Sequence, residues 1–187
     1  MRRYILTGAP GSGKTSVLTE LAAAGHAVVA EAATDVIAAE QSLGSAEPWL
    51  ARSFTERIAE LQRARQLAFF ARPARLQFFD RSPVCTLALA RYLGHPPGSQ
   101  LSAELNRLAT EEIYATDVFF IRPIGFIEPT AARRISYAES LEFELLHEAA
   151  YREFGFRLID VPPATPATRA SQILSHVTSD DLPIVKR

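Results

Sequence analysis

Lysine is nearly absent from this 187-residue chain: Lys14 and Lys186 are the only two, and arginine supplies the remaining positive charge. Cysteine is scarcer still. A single thiol, Cys85, excludes an internal disulfide and points to a reducing compartment. Set in the apolar stretch 84–90, it reads as small core filler. Long apolar runs are missing too. Nothing nears the roughly 20 residues of a membrane span, and Met1-Arg2-Arg3 leads into only a short apolar run, unlike a secretory leader. A soluble, cytoplasmic protein with no membrane partner is the expectation. An excess of one charge sign is lacking as well: 20 basic against 21 acidic residues leave a net charge of −1. That balance argues against a nucleic-acid partner and against a membrane-attracted basic face. The histidines His26, His95, His147 and His176 show no metal-ligand spacing. With no repeat, low-complexity tract or linker, residues 1–187 are expected to form one domain.

What is present is alternation. Short apolar runs at 3–6, 27–30, 76–80, 117–122 and 157–161 read as strands. Residues 14–24, 32–42, 54–71, 83–92, 100–114, 138–154 and 165–177 read as helices. In the longest, Phe54, Ile58, Leu61, Ala64, Ala68 and Ala71 recur three or four apart, and an apolar helix of this kind leaves a homodimer open. Gly25, Gly94 and Gly155 fall where helices should stop, and Ser82-Pro83 reads as an N-cap followed by a first-turn proline. Strand–helix alternation predicts a parallel sheet covered by helices on both faces, with ligands at the carboxyl ends of the strands. Polar residues directly after strands therefore matter most.

The first strand runs into Gly8-Ala9-Pro10-Gly11-Ser12-Gly13-Lys14-Thr15, which fills every fixed position of G-x-x-x-x-G-K-[ST], the phosphate-binding P-loop. Glycines let such a loop bend so that backbone N–H groups converge on phosphate oxygens, and the positive end of the next helix adds to that field. Residues 8–15 and Ser16 thus form the expected ATP cradle. Lys14 would reach the terminal phosphates and Thr15 would hold Mg²⁺. The one internal lysine stands where a point charge on phosphate is needed.

Three further strand ends carry candidates. Asp80 ends an apolar strand in the Walker B manner, a second Mg²⁺-side group. Motor and transporter ATPases usually place glutamate after that aspartate; here it is Arg81. The change argues for a phosphotransferase in which Arg81 binds substrate or the transferring phosphate, with an ion pair to Asp80 as the plain structural alternative. Glu31, after the second strand, is placed to act as general base on an acceptor hydroxyl, or is simply an acid favoured at a helix N-terminus. Asp35 is its rival. After the fourth strand, residues 122–137 read as a lid whose Arg122, Arg133 or Arg134 would close over the phosphates, Arg133 being preferred; a solvated basic corner is the alternative. Pro162 follows the fifth strand, where an adenine ring could pack. His147 is a candidate for facing the nucleotide. Trp49 could stack on a planar acceptor or pack between helices.

Taken together, Gly8–Thr15, Glu31, Asp80-Arg81-Ser82 and the arginine segment at 122–134 resemble small P-loop kinases, above all deoxynucleoside-kinase-like enzymes and the ribosylnicotinamide kinase domain. Within that group the chain is similar to predicted ATPase/kinase proteins often labelled "AAA domain", although no second AAA-type arginine or sensor region is found. The resemblance implies a five-stranded parallel sheet of order 2-3-1-4-5 in an αβα sandwich. It also implies Glu31 as base, Asp80 and Arg81 on the substrate side, and a lid carrying arginines. Two functions follow as expectations. One is an ATP- and Mg²⁺-dependent kinase for a small hydroxylated, nucleoside-like metabolite. The other is a regulatory switch that binds or slowly hydrolyses ATP or GTP and signals to a partner. The guanine motif N-K-x-D is absent, since the only asparagine, Asn106, precedes Arg107.

Overall fold

The computed structural model describes residues 1–70, 74–124 and 136–179. Arg133, Arg134 and most of the expected lid at 122–137 lie outside the described residues. Five strands, β1 (Arg2–Thr7), β2 (Ala27–Val29), β3 (Leu76–Asp80), β4 (Asp117–Ile121) and β5 (Arg157–Val161), form one parallel sheet in the order β2-β3-β1-β4-β5. The order is the one expected. Helices α1 (Lys14–Ala23), α2 (Ala33–Ser42), α3 (Phe54–Phe70), α4 (Pro83–Tyr92), α5 (Ser99–Glu111), α6 (Tyr137–Glu153) and α7 (Pro166–Ser179) flank it, with a short 3₁₀ turn at Pro48–Leu50. No helix among the described residues is long and apolar enough to cross a membrane.

Side-chain alternation along the central strands divides the core in two. Tyr4 and Leu6 of β1, with Phe78 and Phe119, pack against Val17 and Leu21 of α1 and Ile173 of α7. Ile5 and Val118 point to the other face, against α4, α5 and α6 through Val84, Leu101 and Phe143. Each such fully buried side chain contributes about 1.5–3 kcal/mol of transfer free energy. A third, smaller cluster of Val36, Ile37, Phe54 and Ile58 joins α2 to α3. This satellite matters for function, because it holds those two helices beside the carboxyl end of the sheet.

Register aligns the functional strand ends. Leu6 of β1 lies opposite Asp80 of β3, and Thr7 opposite Phe120 of β4. Whatever follows β1 therefore emerges between the ends of β3 and β4. Two boundaries differ from expectation. α5 stops at Glu111 rather than near residue 114, because Glu112 adopts a left-handed φ of 45°. That turn sends Ile113 into the core and sets Tyr114 edge-on to Phe79 at 5.1 Å. β2 ends at Val29, so Glu31 lies in the link to α2.

Candidate functional site

Gly8 leaves β1 at φ +130°, so close to β4 that a Cβ there would stand 2.4 Å from the Ile121 carbonyl oxygen. Only glycine fits, and the loop is free to turn under the sheet edge. At its far end Gly13, at φ +90°, begins α1 without a capping side chain. The first-turn amides are thus left for an anion. Lys14 Nζ donates to the carbonyls of Gly8 (3.1 Å) and Ala9 (2.9 Å) and to Ser12 Oγ (3.3 Å), tying the loop's two ends together. Burial, reinforced by Arg81, pulls its pKa down to about 8. Ala9 and Ser12 are buried under the loop, whereas Pro10, Gly11, Gly13, Thr15 and Ser16 line the cavity above it.

Asp80 is buried, and its Oδ1 has no hydrogen-bond partner. Burial pushes its pKa up to about 6, against the pull of Lys14 and with the push of Glu31. A buried carboxylate oxygen without a donor, with the Thr15 hydroxyl on the same cavity, fits the hard-oxygen chemistry of Mg²⁺. No group of three or more histidine, cysteine or acidic residues forms a metal cage among the described residues. Mg²⁺ held by one or two side chains and substrate phosphates needs none.

Arg81 does not make the adjacent ion pair with Asp80 as its principal contact. Its backbone turns to φ +73° and donates to Leu6 O at 3.0 Å. This left-handed non-glycine residue swings its side chain across the sheet. There Nε donates to Glu31 Oε1 at 2.6 Å, and Nη1 lies 2.9 Å from His147 Nε2. His147 is fully buried, and its Nδ1 donates to Phe143 O at 2.8 Å, so Nε2 carries the lone pair that accepts from Arg81. Burial and the Arg81 charge hold His147 well below its usual pKa. His147 thus stands behind Arg81, where it had been expected to face the nucleotide. Burial alone would raise Glu31, but Arg81 and Lys14 hold it below the usual carboxylate range, and Thr34 Oγ1 donates to its other oxygen at 2.9 Å. The rival Asp35 is exposed and paired with Arg65 outside the cavity.

Two further expectations are corrected. Arg122 is not poised over the loop. Its guanidinium is taken by Asp160 (2.8 Å), Glu144 and Glu148 (2.5 Å each) and lies 4.4 Å from the Phe120 ring. Side chains alternate along β4, and position 122 falls on the α6 face. Pro162 is exposed after β5 and outside the cavity lining.

The cavity, about 820 Å³, runs from the loop past Glu31, Asp80 and Arg81 into a second chamber walled by Trp49, Phe54, Tyr92 and Phe143. At its side Thr86 Oγ1 donates to Gln62 Oε1 at 2.9 Å, which leaves the amide's Nε2 as the ligand-facing donor. Cys85 belongs to the core as expected, yet its sulfur also lines this chamber, 3.2 Å from Thr7 Oγ1 and 3.0 Å from the Tyr151 hydroxyl. Sequence reasoning missed Gln62, Thr86, Tyr92 and Phe143. They sit mid-helix on α3, α4 and α6, and no motif marks which face of a helix meets a cavity.

A family model described as an AAA domain matches residues 3–169. Among solved structures, deoxyadenosine kinase from M. mycoides with dCMP and dCDP bound is 13% identical over 95% of this chain and 99% of that chain, with a TM-score of 0.62. Shikimate kinase from Acinetobacter baumannii in complex with shikimate is 16% identical over 97% and 96%, with a TM-score of 0.55. Thymidylate kinase from Candida albicans is 11% identical over 96% and 92%, with a TM-score of 0.53. At these identities the likeness is one of fold, the fold of small P-loop kinases. No curated protein sequence matches the chain.

Proposed function

This chain belongs to the AAA domain family, and on that footing we propose that it is an ATP- and Mg²⁺-dependent phosphotransferase for a small hydroxylated, nucleoside-like metabolite. The carrying observation is the second chamber. A protein that only bound or hydrolysed ATP would need the loop and a water; this cavity continues past Glu31 and Arg81 into an aromatic-walled space with an oriented amide donor. Flat aromatic walls suit a planar acceptor, and Gln62 Nε2 suits a carbonyl or ring-nitrogen edge on it. Three structural neighbours titled as kinases support the same class.

In this reading the backbone of residues 8–15 and Lys14 bind and orient the polyphosphate. Thr15 and Asp80 would hold Mg²⁺, which when bound supplies charge neutralisation on phosphate oxygens. Glu31 accepts the hydrogen bond of the acceptor hydroxyl and takes its proton late, as a loose phosphoryl transition state allows a weak base to do. Arg81 is locked between Glu31 and His147, so it meets developing charge without reorganising.

The test is transfer of label from γ-labelled ATP, with Mg²⁺, to a panel of nucleosides, ribosylnicotinamide and other small alcohols, alongside Lys14→Ala. Label on one acceptor, lost in Lys14→Ala, establishes the reading. Label that appears only slowly as free phosphate, whatever is added, replaces it with the regulatory switch.

A further inference from the structure

Arg169, in the first turn of α7, is 2% exposed. Its guanidinium donates to three backbone carbonyls from three separate segments: Ser12 in the P-loop (2.6 Å), Arg122 after β4 (2.9 Å) and Pro162 after β5 (3.0 Å). No carboxylate forms an ion pair with it among the described residues, in contrast to Arg81, Arg107, Arg122 and Arg157. Its pKa is lowered by burial, with no neighbouring charge to offset the loss. Nη1 lies 3.4 Å from where a Cβ on Gly13 would stand, so the cation rests against the loop immediately before Lys14.

Two physical consequences follow. Carbonyl dipoles satisfy the N–H groups but do not neutralise the charge, and a buried cation without an anion is costly. The peptide plane adds the second. Ser12 C=O and Gly13 N–H point in opposite directions across one trans peptide, so drawing the carbonyl toward Arg169 turns the Gly13 N–H the other way, into the cradle.

We propose that Arg169 is a positioning residue for the polyphosphate of the bound nucleotide, turning the Gly13 amide toward it and balancing its negative charge from behind the loop. The inference rests on the nucleotide-binding reading above. It adds α7 to the nucleotide site and links the ends of β4 and β5 to the loop. A lysine could keep the charge but not span three carbonyls; a neutral side chain keeps neither.

The experiment is calorimetric titration of Mg-ATP and of inorganic tripolyphosphate into wild type, Arg169→Lys and Arg169→Gln, with melting temperatures recorded with and without ligand. For both ligands the dissociation constant should rise about tenfold or more in Arg169→Gln and by no more than about fivefold in Arg169→Lys, as expected for a charge-assisted contact. The ligand-induced rise in melting temperature should shrink in the same order. An Arg169→Gln protein that melts lower but binds both ligands within about twofold of wild type makes the residue a structural clamp only and overturns the proposal. Should Arg169→Gln fail to fold, Arg169→Lys decides alone: a loss beyond about fivefold overturns the charge-balancing role. Wild type that binds neither ligand sinks the nucleotide-binding reading itself, a distinguishable failure.

Discussion

Residues 8–15 build the nucleotide half of the cavity within one short loop, whereas the acceptor half draws Glu31, Gln62, Arg81, Phe143 and His147 from five separate elements and links. In the first, backbone dihedrals do the shaping: Gly8 at φ +130° and Gly13 at φ +90° aim amides at a point, and the side chains matter little except for Lys14 and Thr15. In the second, side chains do it. Arg81 reaches Glu31 fifty residues away and His147 sixty-six away, and each holds the others in place. A loop made by dihedrals survives surface change but not added bulk at its glycines. A chamber made by converging helices survives conservative change but depends on packing among α2, α3, α4 and α6.

Gly8→Ala should break the nucleotide half most severely. The added methyl meets Ile121 O at 2.4 Å at a φ that alanine rarely adopts. We expect loss of measurable ATP binding by calorimetry and at least ~2 kcal/mol of destabilisation by urea unfolding. Glu31→Gln separates the halves. Turnover should fall about 10²–10⁴-fold, as for loss of a general base, while the ATP dissociation constant stays within about threefold. If both fall together, the two halves are not independent.

The pH profile sharpens the contrast on the nucleotide side. Burial raises Asp80 to about 6, so the native state prefers it protonated; the stability this gives is complete below the ordinary carboxylate range and lost as pH rises through about 6. Cation binding needs the ionised form. Lys14, lowered to about 8, must stay charged to meet phosphate. kcat/KM for Mg-ATP should therefore rise through about pH 6 and fall through about pH 8. The apo Asp80→Asn variant should melt higher than wild type at pH 8, the opposite of what losing a stabilising ion pair would do. On the acceptor side, Gln62→Leu should raise the acceptor KM about tenfold, the order of ~1–2 kcal/mol for one lost hydrogen bond, and leave the ATP KM unchanged. Smallest of all, Asp35→Asn should stay within about twofold in rate and about 0.5 kcal/mol in stability, because its exposed pair with Arg65 lies outside the cavity. A large Asp35 effect would restore it as the rival base.

Much of this was legible before the structure. The loop, Asp80 and Glu31 all follow strands, and in a parallel sheet every strand end opens on the same side. Ser82 caps α4 as its Ser-Pro pair announced, accepting from Val84 N at 3.3 Å. Arg122 misled because strand-end position says nothing about which face a side chain takes, and Glu144, Glu148 and Asp160 had claimed it. Arg169 gave no signal at all. A single arginine in an ordinary helix reads as surface until the backbone carbonyls around it are seen.

By itself the sequence determined the strand–helix alternation, the P-loop and the residue types waiting at the strand ends, because dihedral preference, period and a contiguous motif are local properties of the chain. Only the tertiary structure decided that Arg81 pairs with Glu31, that His147 backs it, that Arg169 sits behind the loop, and that Gln62 and Phe143 face a shared chamber. Those are meetings between distant segments, fixed by how helices pack on a twisted sheet, and the spacing of residues along the chain carries no record of them.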